Sequence, residues 1–364
     1  MDADCVIVGA GPAGLAAAVT ARHLGLDNVV VLERCRLPRD KICAGGLTPK
    51  TVKVLTGLGL ATLLQREAHM ITGLRVTASS DFQFVITPTE PSFVLPRFYL
   101  DRELADRASA LGVRLIDGSS AQPVMDDMGG VTGVTAAGEL YRAPIIIAAD
   151  GTHRLFSSRK AERSLLHGCM ARFKGPVANP GFVEMIFTPA VKPHYCWVFP
   201  ESENMINIGL CVARADQGET GIRQLWAEVL STSLAGRVEG MEQCGPLLFH
   251  PLITSPRVRH DALPGVFLAG EACGLVNQFT GEGISSALIS GGLAAETSVQ
   301  GLRDGLTYKE TERLYLAALK HALNPGLILG SILTRTAAVI MNSRFLRSCF
   351  RRAKLSVAQY LTRL

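Results

Sequence analysis

The sequence predicts an α/β protein in which a Rossmann-like dinucleotide-binding domain is split by an inserted antiparallel β-sheet domain and followed by a basic helical C-terminal region. Three observations carry this prediction. Asp4–Gly14 compresses a buried strand, a glycine turn and a helix start into eleven residues. Strand-like and helix-like runs then alternate, as in a parallel sheet with crossover helices. Between about 168 and 250 the pattern changes to period-two runs such as Met205–Val212, which suit an antiparallel sheet. With 364 residues, 48% hydrophobic and only 19% charged, the chain can fill about two domains and is not a disordered one.

The elements follow in order. Cys5–Val8 reads as a strand buried on both faces, and Gly9, Gly11 and Gly14 follow it at G-x-G-x-x-G spacing. Gly9 makes the tight turn, Gly11 leaves room for a pyrophosphate, and Gly14 lets the helix pack closely on the strand. A helix from Pro12 to about Leu24 points its N-terminus at the phosphate, where free N–H groups and the dipole favour an anion. Asn28–Glu33 supplies the next strand and ends on a carboxylate placed to grip a ribose hydroxyl. Phe82–Ile86 reads as a strand that leaves for another sheet. Tyr99–Leu111 has helical spacing, and Val113–Ile116 and Ile145–Ala149 return to the first sheet. A helix near Ile222–Leu234 interrupts the inserted sheet. Val266–Gly270 is a further buried strand that feeds a helix from Glu282 to about Val299. The expected domains are 1–75, 97–165 and 251–300 for the dinucleotide, 76–96 and 166–250 for the substrate, and 301–364 for the basic helical region.

The net charge of +5 hides an asymmetry: residues 313–364 carry nine Lys/Arg and no Asp or Glu, leaving the first 312 residues with 28 basic against 32 acidic groups. The tail is apolar between Ala322 and Ser343 except for Arg335, with Pro325 and Gly326 expected to interrupt it, so a membrane span is not predicted. Four suitably placed basic groups at about 1 kcal/mol each would give weak, millimolar attachment to an anionic membrane surface. Because the first strand begins almost at residue 1, the expected location is cytoplasmic, with any membrane contact peripheral on the inner face. The nine cysteines are scattered without a C-x-x-C pair, so no disulfide framework, metal site or iron–sulfur cluster is expected, and no nucleic-acid partner is expected either.

Three segments together resemble the flavin-binding set of the glutathione-reductase-like flavoproteins: Gly9–Glu33, Ala149-Asp150-Gly151, and Gly270-Glu271 with the helix after it. The implied cofactor is FAD. The residues implied to hold it are Gly9, Gly11, Pro12, Ala13, Gly14, Glu33, Arg34, Cys43, Ala44, Gly45, Arg97, Ala121, Asp150, Gly270, Glu271, Gly281, Gly283 and Ile284. Two positions depart from the usual pattern: Glu271 stands where Asp is common, and Arg154 where Ser is common. Within that group the chain is similar to the geranylgeranyl reductase family through Lys41–Leu47, Arg97 with Asp101, Tyr195-Cys-Trp197-Val-Phe-Pro200 and Phe279-Thr-Gly281-Glu-Gly283. The Tyr195–Pro200 run fits that family's Y-x-W-x-F-P signature, while Ala44 stands where glycine is common.

That resemblance implies reduction of isolated carbon–carbon double bonds in a long isoprenoid chain, on a small-molecule or lipid substrate, with NADPH or ferredoxin as alternative electron donors. Cys43, Tyr195 and Trp197 are the expected catalytic residues: Cys43 and Tyr195 as proton donors or substrate contacts, Trp197 as a pocket wall with Phe199. Tyr195 and Trp197 share a strand face, which fits sheet packing as well as a pocket. His194 is expected on the opposite face, and Asp101 is expected as a helix cap. A flavin-dependent monooxygenase or halogenase is the alternative function. The W-x-W-x-I-P signature of flavin halogenases differs from Tyr195–Pro200 at its first Trp and at its Ile. Electron transfer to a quinone or protein partner is a third class.

Overall fold

The computed structural model describes residues 2–79, 82–158, 165–213 and 218–342. A five-stranded parallel sheet lies at its centre, in the order Phe267–Leu268, Ile145–Ala148, Cys5–Val8, Val29–Leu32, Arg114–Ile116. All four residues of each of the three central strands are buried, which explains the unbroken apolar runs. The Pro12–His23 helix packs between this sheet and the Ile284–Arg303 helix through glycines. A Cβ at Gly14 would sit 1.9 Å from the Gly9 carbonyl oxygen, and one at Gly291 would sit 1.9 Å from that of Ala13.

A seven-stranded sheet forms the second layer, in the order Glu242–Ile253, Leu165–Lys174, Met205–Val212, Cys196–Ser202, Phe182–Ile186, Gly73–Ser79, Phe82–Ile86. It is antiparallel at every junction but one: Phe182–Ile186 runs parallel to Gly73–Ser79. The expected antiparallel sheet is present, and its one parallel junction arises because the Gly73–Ile86 hairpin joins from an early part of the chain and the later strand runs in the same direction. The strands of this sheet begin at Gly73 and end at Ile253, and Ser92–Val94 pairs instead with Gly46–Leu47 and His69–Ile71 in a small separate sheet.

Alternation sorts the two faces of the large sheet. Cys169, Ala171, Cys196, Val198, Ile206 and Ile208 bury against Ile222, Trp226 and Val229 of the Gly218–Ser231 helix. Met170, Met185, Tyr195, Trp197 and Cys211 lie in a separate apolar cluster on the other side.

Two helices depart from expectation. The helix expected from Tyr99 starts at Arg97, after Pro96, which places Asp101 inside it rather than at its cap. The C-terminal helix runs from Tyr308 to Asn342 without a break at Pro325. Proline there removes one intrahelical hydrogen bond, but tertiary bonds hold the surrounding turn: Asn277 Nδ2 donates to the Gly326 carbonyl at 3.0 Å, and the Val258 N–H donates to Asn324 Oδ1 at 2.8 Å. By length and composition its Tyr308–Val339 portion is apolar enough to cross a membrane. Arg344, Arg347, Arg351, Arg352, Lys354 and Arg363 lie outside the described residues.

Candidate active site

The glycine turn is built as its spacing demands. Gly9 has φ +101°, and a Cβ on it would meet the Ala149 carbonyl oxygen at 2.4 Å. Gly11 differs, because a Cβ there would meet only the Arg97 guanidinium, at 3.8 Å. Open space therefore lies above Gly11, at the N-terminus of a helix whose first residue is Pro12 and second is Ala13. Glu33 ends its strand with Oε2 accepting the Ala10 N–H at 2.7 Å and Oε1 accepting the Cys35 N–H at 2.9 Å. Arg34 beside it is exposed, and Ala121 is buried at the start of the Gln122–Met125 strand. Asp150 Oδ2 accepts the Leu155 N–H at 2.6 Å, while its Oδ1 is buried without a partner among the described residues. Burial pushes this carboxyl up to about 6.

Arg97 does not stand alone in the cleft. Its Nε and Nη2 both donate to Asp101 at 2.7 Å, and Arg39 Nη1 reaches the same carboxylate at 3.1 Å. Arg97 and Asp101 are both buried, so each guanidinium and carboxylate depends on the other for compensation.

A second cluster was not legible in the sequence. Gly270, with φ +65°, turns the chain so that Glu271 Oε2 lies 3.6 Å from Lys41 Nζ and 3.8 Å from His250 Nε2, while Oε1 accepts the Ile253 N–H at 3.1 Å. Burial lowers Lys41 from the ordinary lysine value. Burial pushes Glu271 upward, but His250 and Lys41 together hold it below the ordinary carboxylate value. Gly281 has φ +64°, Gly283 caps the Ile284–Arg303 helix, and the Ser285 N–H in its first turn donates to Glu282 Oε1 at 2.6 Å. Arg154, at φ +49°, donates to Ser157 Oγ at 2.7 Å.

Between these groups and the seven-stranded sheet lies a cavity of about 490 Å³. Its walls are mostly apolar, with Ile42, Ala44, Phe84, Met185, Phe187, Trp197, Phe199, Leu252 and Phe279 among them, and it extends to Leu323, Leu333 and Ala337 of the C-terminal helix. Cys43, Ala44 and Gly45 line one end, and Cys43 Sγ accepts the Gly45 N–H at 3.4 Å. Tyr195 donates its hydroxyl proton to the Thr280 carbonyl, and burial pushes the phenol upward so that it stays protonated. Phe187 is stacked on Phe279 with centroids 6.0 Å apart, extending the aromatic wall.

The Trp197 indole covers Gly209 so closely that a Cβ there would fall 2.1 Å from the ring. Its Nε1–H donates to Asn207 Oδ1 at 2.8 Å, and Asn207 Nδ2 donates to the Cys43 carbonyl at 3.1 Å. Asn207 is fully buried and was missed; a single amide inside the apolar Met205–Val212 run was its only signal. His194 is corrected: it lines the same cavity, because the regular strand begins only at Cys196 and alternation does not reach it. Burial lowers its imidazole to about 4.

The open cradle at Gly11, the unpaired Asp150 oxygen and two helix N-termini converging beside an apolar cavity fit a flavin dinucleotide. Among the described residues no cluster of three or more His, Cys, Asp or Glu is arranged to hold a metal ion. The fold and this site define an FAD-dependent oxidoreductase. The chain belongs to the FAD binding domain family, whose profile matches residues 2–214, and within the flavoproteins it groups with the geranylgeranyl reductases. It is 32% identical over 324 residues to the menaquinone reductase of Mycolicibacterium smegmatis, covering 82% of this chain and 77% of that one. It is 29% identical to digeranylgeranylglycerophospholipid reductase 1 of Methanopyrus kandleri, covering 84% and 82%. A geranylgeranyl bacteriochlorophyll reductase-like protein of Thermoplasma acidophilum shares its fold with TM-score 0.82 at 22% identity, over 93% of this chain and 88% of that one. A flavin-dependent brominase shares the fold too, with TM-score 0.80 at 21% identity over 97% and 93%.

Proposed function

We propose that this enzyme reduces isolated double bonds in a geranylgeranyl or other polyprenyl chain. The observation that carries the reading is the cavity, which runs from the Cys43–Gly45 turn to the C-terminal helix with mostly apolar walls. The two relatives named for menaquinone and for a digeranylgeranyl phospholipid support a lipid-like substrate. When bound, reduced FAD supplies the hydride. It would be held by the glycine turn, Pro12, Ala13, Glu33, Arg34, Ala121, Asp150, Arg97, Gly270, Glu271 and the Gly281–Ile284 helix start.

An isolated alkene has no carbonyl to polarise it, so the chain's own residues must exclude water, fix the double bond and deliver a proton. Trp197 and Phe199 hold the chain, and orientation contributes more than the roughly 0.5–2 kcal/mol that π faces lend to developing positive charge. Of the cavity's proton-bearing groups, Cys43 and Tyr195 are the two the sequence singles out. We assign delivery to Cys43, because Tyr195 already commits its proton to Thr280, whereas Cys43 Sγ accepts a bond from Gly45 and keeps its S–H free to donate. Cys43 would give its thiol proton to the alkene carbon that does not receive hydride, and the thiolate left behind would regain a proton from bulk solvent after the product leaves. A nicotinamide or a ferredoxin-type protein supplies the electrons, and the basic C-terminal region makes weak peripheral contact with membrane.

The test is anaerobic: reduce the purified holoenzyme with dithionite, add geranylgeranyl diphosphate or a geranylgeranyl lipid, and follow flavin reoxidation with product mass. Reoxidation with a gain of two hydrogens per double bond supports the reading, and Cys43→Ala should slow it at least tenfold with FAD retained. A flavin that stays reduced with every prenyl substrate but reoxidises with stoichiometric substrate oxygenation in air would overturn it in favour of a monooxygenase.

A further inference from the structure

We propose that the last turns of the Tyr308–Asn342 helix rest on an anionic lipid bilayer and form the mouth through which a lipid chain slides into the cavity. This deepens the polyprenyl reading and rests on it for the identity of what enters.

The helix has two unlike halves. Tyr315, Leu319, Leu323 and Leu327 are almost wholly buried in the core of the dinucleotide-binding domain, and the Tyr315 hydroxyl donates to the Leu268 carbonyl at 2.6 Å. Beyond them the helix emerges: Ile332 is 53% and Val339 60% exposed. Ile332, Thr336 and Val339 stand at i, i+4, i+7 and form one exposed stripe. Leu333, Thr336 and Ala337 form the adjacent stripe and line the cavity. Thr336, exposed and also a cavity wall, belongs to both. The exposed apolar face and the inside of the cavity therefore meet along one helix edge.

Sequence chemistry selects the occupant. After Glu312 the chain has no acidic residue, and the apolar stripe is followed by Arg344, Arg347, Arg351, Arg352 and Lys354. An apolar face followed by basic residues matches an anionic interface, where apolar side chains enter the acyl boundary and cations meet headgroups. The described helix lies on this surface and does not cross it. Its first half is committed to the protein core, and the 15 residues left from Ile328 to Asn342 extend only about 22 Å, short of a hydrocarbon core of about 30 Å.

The experiment uses the full-length FAD-loaded protein with vesicles of phosphatidylcholine alone or mixed with phosphatidylglycerol. Wild type is expected to sediment with the anionic vesicles, less so at high salt. The surface variant Ile332→Asp/Val339→Asp is expected to lose at least fivefold of that binding, and to reduce a vesicle-embedded geranylgeranyl lipid at least fivefold more slowly while keeping its rate with soluble geranylgeranyl diphosphate. Arg344→Gln/Arg347→Gln/Arg351→Gln/Arg352→Gln, which leaves the apolar stripe intact, should lose mainly the salt-sensitive part. Sedimentation of the aspartate variant equal to wild type, or equal slowing with both substrates, overturns the proposal. Concentration-dependent dimerisation of wild type without vesicle binding also overturns it and assigns the face to a second copy. Failure of every prenyl substrate with vesicle binding intact would sink the polyprenyl reading and leave the docking surface standing.

Discussion

The Trp197 indole N–H donates to Asn207 Oδ1 at 2.8 Å, and through that one amide the wall of the apolar cavity is fastened to the turn that carries Cys43. Asn207 Nδ2 also reaches Glu201 Oε1 at 3.2 Å, and Glu201 is held by Arg172 at 2.9 Å. Replacing Asn207 by Leu leaves a buried indole N–H and a carbonyl unpaired, at about 1–3 kcal/mol for each orphaned group. Asn207→Leu is expected to lower the melting temperature and slow substrate-driven flavin reoxidation at least tenfold, with FAD still bound. Trp197→Ala should likewise keep FAD and lose turnover, whereas Trp197→Phe should keep the wall and lose only the tether. Unchanged turnover in Trp197→Ala would remove that ring from the substrate path.

Gly11 and Gly14 separate cofactor binding from folding. Nothing closer than the Arg97 guanidinium at 3.8 Å meets a Cβ at Gly11, so Gly11→Val should give a folded, colourless protein with the pyrophosphate approach filled. At Gly14 the same Cβ would overlap the Gly9 carbonyl at 1.9 Å, and Gly14→Ala should fail to fold stably. Circular dichroism and flavin absorbance distinguish the two. A yellow Gly11→Val holoenzyme would refute the assigned phosphate position.

Asp150 and His194 give the apoprotein opposite pH slopes. Asp150 is raised by burial from 3.8 to about 6, so between those values the folded state binds more protons than the unfolded state and stability falls as pH rises. His194 is lowered by burial from 6.5 to about 4, so between those values the unfolded state binds more protons and stability is lost as pH falls. Each effect is on the order of 3 kcal/mol at about 1.4 kcal/mol per unit. Relative to wild-type apoprotein, Asp150→Asn should be stabilised at pH 7.5 with the gain vanishing near pH 4. His194→Leu should gain relative stability as pH falls from 6.5 to 4. Denaturant titrations across pH check both, and parallel curves for variant and wild type would contradict the assignment.

What the sequence disclosed depended on distance along the chain. Gly9, Gly11, Gly14 and Glu33 were legible because one βαβ unit fixes their mutual positions locally. Tyr195 and Trp197 could be put on one face because strand alternation is also local. Asn207 and Cys43 are 164 residues apart, and Lys41, His250 and Glu271 meet only through the packing of three separate segments. No spacing rule connects such residues. Pro325 misled for the same reason: a helix-breaking propensity was outweighed by tertiary bonds from Asn277 and to Asn324. Asp101 was misplaced by a two-residue shift in the helix start, which turned a cap into an interior partner of Arg97.

That interior pair supplies the last test. Asp101 accepts two bonds from Arg97 and one from Arg39, and both Arg97 and Asp101 are buried beside the open space above Gly11. Asp101→Asn keeps the shape but leaves the Arg97 cation without its counter-charge, a loss of about 3–5 kcal/mol when one partner of a buried pair is removed. The variant is therefore expected to unfold at markedly lower denaturant and to bind FAD more weakly, because the freed guanidinium no longer holds its orientation toward the cleft. Arg97→Met/Asp101→Leu, which removes both charges, should recover much of the folding stability without recovering FAD affinity. Equilibrium unfolding and flavin titration separate those two outcomes. If the double variant regains both, Arg97 braces the helix alone and has no part in holding the cofactor.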